Sequence, residues 1–194
     1  MEIFLETERL VLRRFTSDDL DLLAQLDADP EVMRFVTGRP TPPEQIEKEI
    51  LPRFLDYYRR YPSYGYWAAI EKSTGEFVGW FHLRPRQGRP EDELELGYRL
   101  KRSAWGRGLA TEGSLALIEK AFSQLGARIV FAQTMAVNLA SRRVMEKAGL
   151  RYLRTFHEKW DDPIPGSEQG EVEYQLTRDE WKQLHERDAD VSEN

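Results

Sequence analysis

Apolar and polar positions change their spacing several times along this chain, and each change predicts an element. Leu10-Val-Leu-Arg-Arg-Phe15 alternates well enough for a first strand. Thr16-Ser-Asp-Asp19 then reads as a helix N-cap signal, with Leu20, Leu23 and Leu26 on one helical face. Asp29-Pro30 opens a short helical turn. Pro42-Pro43 starts a longer helix carrying Ile46, Ile50, Phe54, Tyr57 and Tyr58, and Pro52 inside it predicts a kink or a division into two helices. Aromatic and β-branched runs follow at Tyr64 to Glu71 and Phe77 to Leu83, joined by the hairpin signal Lys72-Ser-Thr-Gly75. After a proline- and charge-rich loop, Pro85 to Asp92, the stretch Glu93 to Leu100 alternates as a further strand.

Helical spacing returns over Ala110 to Leu125, with Leu115, Ile118, Phe122 and Leu125 on one face and Gly126 as C-cap. Arg128 to Thr134 reads as a buried strand. Asn138 to Ala148 reads as a helix closed by Gly149, with Leu150 folding back on Met145. Arg151 to Trp160 and Val172 to Leu176 are two more strands, split by the turn-rich stretch Asp161 to Gly170. Thr177-Arg-Asp-Glu-Trp181 begins a last helix, and the polar end Arg187 to Asn194 is expected to fray. The resulting order, β-α-α-β-β-β-α-β-α-β-β-α, predicts an α/β protein of the α+β type: a mixed sheet of six to seven strands flanked by helices, not a strict βαβ alternation.

Composition narrows the setting. A chain of 194 residues suits one domain, taken as residues 1–182, with 183–194 a helix end and polar tail. It has no cysteine, which excludes disulfides, cysteine-ligated zinc and a cysteine nucleophile. The longest apolar run is five residues, Tyr66 to Ile70, far short of a membrane span. The acidic N-terminus lacks a signal-peptide pattern, and a net charge of −6 argues against general nucleic-acid binding. A soluble cytoplasmic protein is expected, with no metal, nucleic-acid or membrane partner.

The chemically informative segment is Leu100 to Thr111, where Trp105-Gly106-Arg107-Gly108-Leu109-Ala110 lies between a strand end and a helix start. Glycines there admit close approach of a ligand to the backbone, and the free N–H groups of a helix N-terminus favour an anion. Arg107 adds positive charge. The same residues would also make an ordinary tight turn. The segment is not a P-loop, because no Gly-Lys-Ser/Thr follows, and Thr111 stands where a dinucleotide fingerprint requires its third glycine. No Gly-x-Ser-x-Gly elbow supports hydrolase chemistry.

This loop resembles the cofactor loop of the GNAT N-acetyltransferase superfamily, Gln/Arg-x-x-Gly-x-Gly/Ala, written here Trp105-x-x-Gly108-x-Ala110. Trp in the first place and the continuation Gly-Leu-Ala-Thr-Glu resemble the RimJ/RimL-like branch. So do Leu10 to Phe15 with Asp18-Asp19-Leu20, Gly97-Tyr98 before the loop, Asn138-x-x-Ser141 with Glu146-Lys-Ala-Gly-Leu150, and Tyr174-x-Leu-Thr-x-x-x-Trp181. These span about residue 7 to 182 in the family's order. The resemblance implies a splayed sheet that binds acetyl-CoA and transfers acetyl to an amine, with a protein N-terminus, a small amine or an aminoglycoside-like compound as acceptor.

Such a reaction needs a base, a stabiliser for the tetrahedral oxyanion and a proton for the leaving thiolate. Glu95 is the candidate base: alternation puts Glu93, Glu95 and Gly97 on one strand face. A solvated or cross-strand-paired carboxylate is the competing reading. Backbone N–H groups of Tyr98, Arg99 and Leu100 can bond the acetyl carbonyl if the strand splays. The loop from Trp105, Gly106, Arg107 and Gly108 through Leu109, Ala110 and Thr111 would bind the cofactor's phosphates. Asn138 would bond the pantetheine arm, cap its helix, or both. Met145 occupies the position where many relatives carry a tyrosine acid, so Ser141 is the nearest candidate for meeting the thiolate. Arg142 and Arg143 read as a solvated helix face, and His82 as a hydrogen-bonded sheet residue. His157 and Glu158 sit on a late strand that can line the acceptor cleft, though a surface position suits them better. A non-catalytic acyl-CoA-binding module, or a phosphate-binding domain of another fold, would also carry this loop. A monomer or a homodimer is compatible with the pattern.

Overall fold

The computed structural model describes residues 2–192, with side chains to residue 186. Its centre is one eight-stranded sheet: β1 (Ile3–Glu6), β2 (Leu10–Arg14), β3 (Gly65–Glu71), β4 (Phe77–Pro85), β5 (Glu93–Leu100), β6 (Ile129–Met135), β7 (Arg151–Phe156) and β8 (Glu171–Thr177). The spatial order is β1-β2-β3-β4-β5-β6-β8-β7. Every neighbouring pair is antiparallel except β5 and β6, which run parallel. The helices are α1 (Leu20–Asp27), α2 (Pro30–Met33), α3 (Pro43–Gln45), α4 (Leu51–Arg60), α5 (Leu109–Ser123), α6 (Leu139–Lys147) and α7 (Arg178–Ser192). None is long and apolar enough among the described residues to cross a membrane.

The mixed sheet follows the alternation read above, with three differences. β1 is an additional strand, too short and acidic at its ends to stand out. β7 ends at Phe156, not Trp160. Leu115 is exposed on α5, whose buried face carries Leu117, Ile118, Ala121 and Phe122. Pro52 produces the expected division: a π-helical turn at Ile46–Ile50 absorbs the lost hydrogen bond, and α4 starts with Pro52 in its first turn. α6 ends in a Schellman motif, since Leu150 N–H donates to Met145 O at 3.0 Å and Gly149 N–H to Glu146 O at 3.0 Å. The suggested fraying beyond Arg187 concerns side chains outside the described ones.

Alternation sorts the sheet into two faces. One carries Leu12, Trp67, Phe81, Leu83, Leu94, Leu96, Leu100, Val130, Ala132 and Tyr174, a core closed by α5 and α6. The other carries Tyr66, Ala68, Phe77 and Trp80 in a second core with α1, α2 and α4. Two buried ion pairs fasten this second layer. Arg13 bonds both Asp19 oxygens at 2.7 Å, just before α1. Asp27, near the end of α1, takes both bonds of Arg99 from β5 at 2.6 Å.

Candidate functional site

The site arises where the sheet parts. β5 and β6 pair only at Glu93↔Ile129, Leu94↔Val130 and Glu95↔Phe131, while β5 continues along β4 as far as Gly79↔Leu100 and β6 along β8 as far as Met135↔Glu171. Beyond Glu95 the two strands diverge around a cavity of about 760 Å³. The splay decides where the β5 amides point. Lys101 N–H bonds Val78 O on the β4 side. Antiparallel alternation then turns the amides of Arg99 and Gly97 toward β4, and those of Leu96, Tyr98 and Leu100 toward the gap.

On the α5 face, the cavity meets the glycine loop. Gly106 and Gly108 have φ of 70° and 80°, a left-handed conformation that favours glycine. Gly108 is the N-cap of α5, so the N–H groups of Leu109, Ala110 and Thr111 lack intrahelical acceptors. Leu109 is fully buried and anchors the turn. Trp105 donates from Nε1 to Leu100 O at 2.9 Å, tying the loop to the strand end while its ring stays half-exposed beside the cavity. Arg9 braces the loop from behind, bonding Arg107 O at 2.8 Å and Glu112 at 2.6 Å.

Two expected cofactor contacts are engaged elsewhere. The Arg107 guanidinium pairs with Glu71, so its part in the loop is its backbone. Arg99 spends its side chain on Asp27, and its amide faces β4. Asn138 caps α6, accepting from Ser141 N at 3.2 Å and donating to Thr134 Oγ1 at 3.0 Å, which leaves one amide hydrogen and further lone-pair capacity toward the cavity. Ser141 lies one turn on. The Tyr98 hydroxyl, whose pKa burial raises, sits 3.5 Å from Ser141 Oγ. Met145 also lines the cavity. Arg142 is not a solvated helix residue: it bonds Tyr174 Oη and Ala136 O at 3.1 Å each.

The opposite face of the gap is polar. Glu95 stands opposite Arg84 in the β4 ladder and meets it at 2.5 Å, with Arg86 at 3.5 Å, so the cross-strand pairing and the cavity-lining position coexist. Glu95 Oε2 has no aligned hydrogen bond. His82 departs from its expected hydrogen-bonded state, because both ring nitrogens are buried without a partner. The imidazole lies over Gly97, its Nε2 3.9 Å from Glu95 Oε2. Burial, then the charges of Arg84, Arg99, Arg53 and Arg86, hold its pKa well below the usual histidine value, so the ring is neutral. Glu158, Trp160 and Glu171 complete this side, where β7 has ended and the chain turns back over the sheet. Ser114, buried on α5 with an unpartnered hydroxyl, also lines the cavity. Neither Ser114 nor Glu171 had a motif to mark it; only the register of β8 brings Glu171 here.

A sheet split at one parallel seam, with an anion-ready helix terminus on one face and a polar cleft on the other, defines a two-substrate transferase. Comparison with known proteins gives the family. Residues 9–151 match the acetyltransferase (GNAT) domain family. The chain is 38% identical over 188 residues to the FsC-acetyl coenzyme A-N(2)-transacetylase of Aspergillus fumigatus, covering 93% of this chain and 78% of that protein. Two solved structures share its fold. RimL, a ribosomal-protein alpha-N-acetyltransferase in complex with coenzyme A, superimposes with a TM-score of 0.76 at 18% identity, covering 92% of this chain and 99% of that one. An aminoglycoside acetyltransferase with coenzyme A gives 0.69 at 20%, covering 91% and 99%. The chain belongs to the GNAT acetyltransferase family and is an N-acetyltransferase.

Proposed function

We propose that the protein transfers acetyl from acetyl-CoA directly to a primary amine. The seam carries this reading: β5 amides free of β6 and the bare N-terminus of α5 open into one cavity with unpartnered polar side chains on its far face. The amides of Leu109, Ala110 and Thr111 would hold the pyrophosphate, helped by the helix dipole. Asn138 would bond the pantetheine arm. The gap-facing amides of Leu96, Tyr98 and Leu100 would meet the acetyl carbonyl and stabilise the oxyanion.

Glu95 and the neutral His82 beside it are the basic pair. The amine lone pair attacks the thioester carbon, forming the C–N bond. Its surplus proton passes to this pair, directly or through water. When the C–S bond breaks, Ser141 backed by the Tyr98 phenol supplies or relays a proton to sulfur. The chemistry calls for no metal. The natural acceptor belongs among small amines, aminoglycoside-like compounds or protein N-termini, and the transacetylase relative, named for an N(2) nitrogen, favours a small-molecule amine. The enzyme acts in the cytoplasm, as a monomer or homodimer.

Calorimetric titration with acetyl-CoA, with ATP and NAD as controls, tests this reading. Micromolar binding of acetyl-CoA alone, lost in Gly108→Val, is expected. Binding without release of CoA thiol to any amine in a broad panel would favour a non-catalytic module. The thiol assay has no background here, because the protein has no cysteine.

A further inference from the structure

Glu171 is a carboxylate without a counter-charge. It is 8% exposed, and its Oε1 is buried with no hydrogen-bond partner. Among the described residues no Lys, Arg or His nitrogen lies within 4.0 Å of it, although the neighbouring acids are matched: Glu173 by Arg89 at 2.5 Å and Arg154 at 2.9 Å, and Glu158 by Arg86 at 3.3 Å. Burial, then the charge of Glu158, raises its pKa, the mark of a position short of positive charge. Burying an ionised carboxylate is costly unless something pairs with it.

Glu171 lines the same cavity as Gly97 and His82, and register puts it on their face of the sheet. Had β5 and β6 stayed paired, Gly97 would oppose Gln133. Glu171 lies two residues further along and two strands across from Gly97, on the order of 12 Å between backbones at ordinary strand spacing, a gap that the Glu171 side chain partly spans. Trp160 lines the same cavity, and an indole is a side chain that can receive a cation on its π-face.

We propose that Glu171, with Glu158 and Trp160, forms a subsite for a second cationic group of the acceptor, an ammonium or guanidinium held apart from the nitrogen that is acetylated. The acceptor is then at least a dication before reaction. This inference rests on the proposed amine acetylation for what occupies the Gly97 end of the cavity. The subsite itself depends only on the carboxylate.

The test is calorimetric binding of 1,6-diaminohexane and of hexylamine to the wild-type protein, to Glu171→Gln and to Glu158→Gln, each with and without saturating CoA. The diamine is expected to bind the wild type about tenfold more tightly than hexylamine, and Glu171→Gln to abolish that preference while leaving hexylamine and acetyl-CoA affinity unchanged. Glu158→Gln, whose carboxylate already has Arg86, is expected to weaken the diamine by only about two- to threefold. Equal binding of the two amines by the wild type, or a diamine preference that survives Glu171→Gln, overturns the subsite. Should Glu171→Gln fail to fold, Glu171→Thr, a neutral residue suited to a strand, takes its place, and an undiminished diamine preference in that variant overturns the subsite instead. Failure of the acetyltransferase reading shows differently: acetyl-CoA does not bind, whatever the diamine does.

Discussion

Gly97→Ala perturbs the site through a single methyl group. A Cβ at this position would lie 2.6 Å from His82 Cε1, 2.7 Å from Nε2 and 3.3 Å from Nδ1. All three atoms belong to one rigid ring, so the imidazole must move as a unit. It has little room, because it stacks on Trp80 at 5.8 Å and meets Tyr66 edge-on at 5.4 Å. Overpacking of this kind costs about 1–3 kcal/mol. For a chain of this size each kcal/mol lowers Tm by roughly 2–4 °C, so a fall of about 2–12 °C is expected. His82→Ala removes the obstruction and two unpartnered nitrogens, at the expense of a cavity. In the double variant the new methyl enters space the ring has left, so the two costs should fall short of their sum by about 1–3 kcal/mol. Scanning calorimetry of the four proteins measures this coupling. Turnover should drop in Gly97→Ala, because the ring leaves Glu95, while acetyl-CoA affinity holds. Costs that add to within about 0.5 kcal/mol would refute the argument that Gly97 is glycine to make room for the imidazole.

Four other outcomes follow from the geometry. Asp27→Ala leaves the Arg99 guanidinium unpaired over Trp80, and should lower stability by about 3–5 kcal/mol, read by urea unfolding. His82 is held below its unfolded pKa, so the unfolded chain binds the extra proton, and stability should decline as pH falls below about 6.5. Tm of His82→Gln should stay flat through the first pH unit of that decline. Burial works to raise the pKa of Glu173, but its bonds to Arg89, Arg154 and Gln133 outweigh it and the net shift is downward; this adds a second loss of stability as pH falls below about 4.5, absent from the pH–Tm curve of Glu173→Gln. Tyr98→Phe should reduce kcat more than it changes the KM for acetyl-CoA, and an unchanged kcat would remove the phenol from the proton path.

The order of elements and the loop were legible in the sequence because each rests on local rules. Alternation marked β2 to β6, the proline pair and Pro52 marked the broken helix, and two glycines between strand and helix marked the left-handed turn that opens α5. What was not legible depends on register between distant strands. Glu95 could be placed on a face, but that Arg84 stands opposite it is decided by the β4–β5 pairing. His82 looked like an ordinary sheet histidine because nothing local shows that its cross-strand neighbour is a glycine, which leaves its ring over bare backbone. Arg107 looked available to phosphate because Glu71, its partner, lies 36 residues earlier. Leu115 was misassigned because a helical stripe fixes spacing and not which edge of the stripe reaches the sheet.

The short parallel seam also bears on how the molecule coheres. Three residue pairs join a five-stranded half, β1 to β5, to a three-stranded half, β6 to β8. Each half has its own continuous ladder, so the seam is where amide exchange should begin and where the halves should separate first under load. A ligand that bonds both lips of the gap then serves as mortar between two bricks. At a hundredfold excess over Kd it would add about 2.7 kcal/mol to the folded state, most of it at that joint. Product release would loosen the same joint, so each turnover would carry the sheet through a cycle of clamping and relaxation.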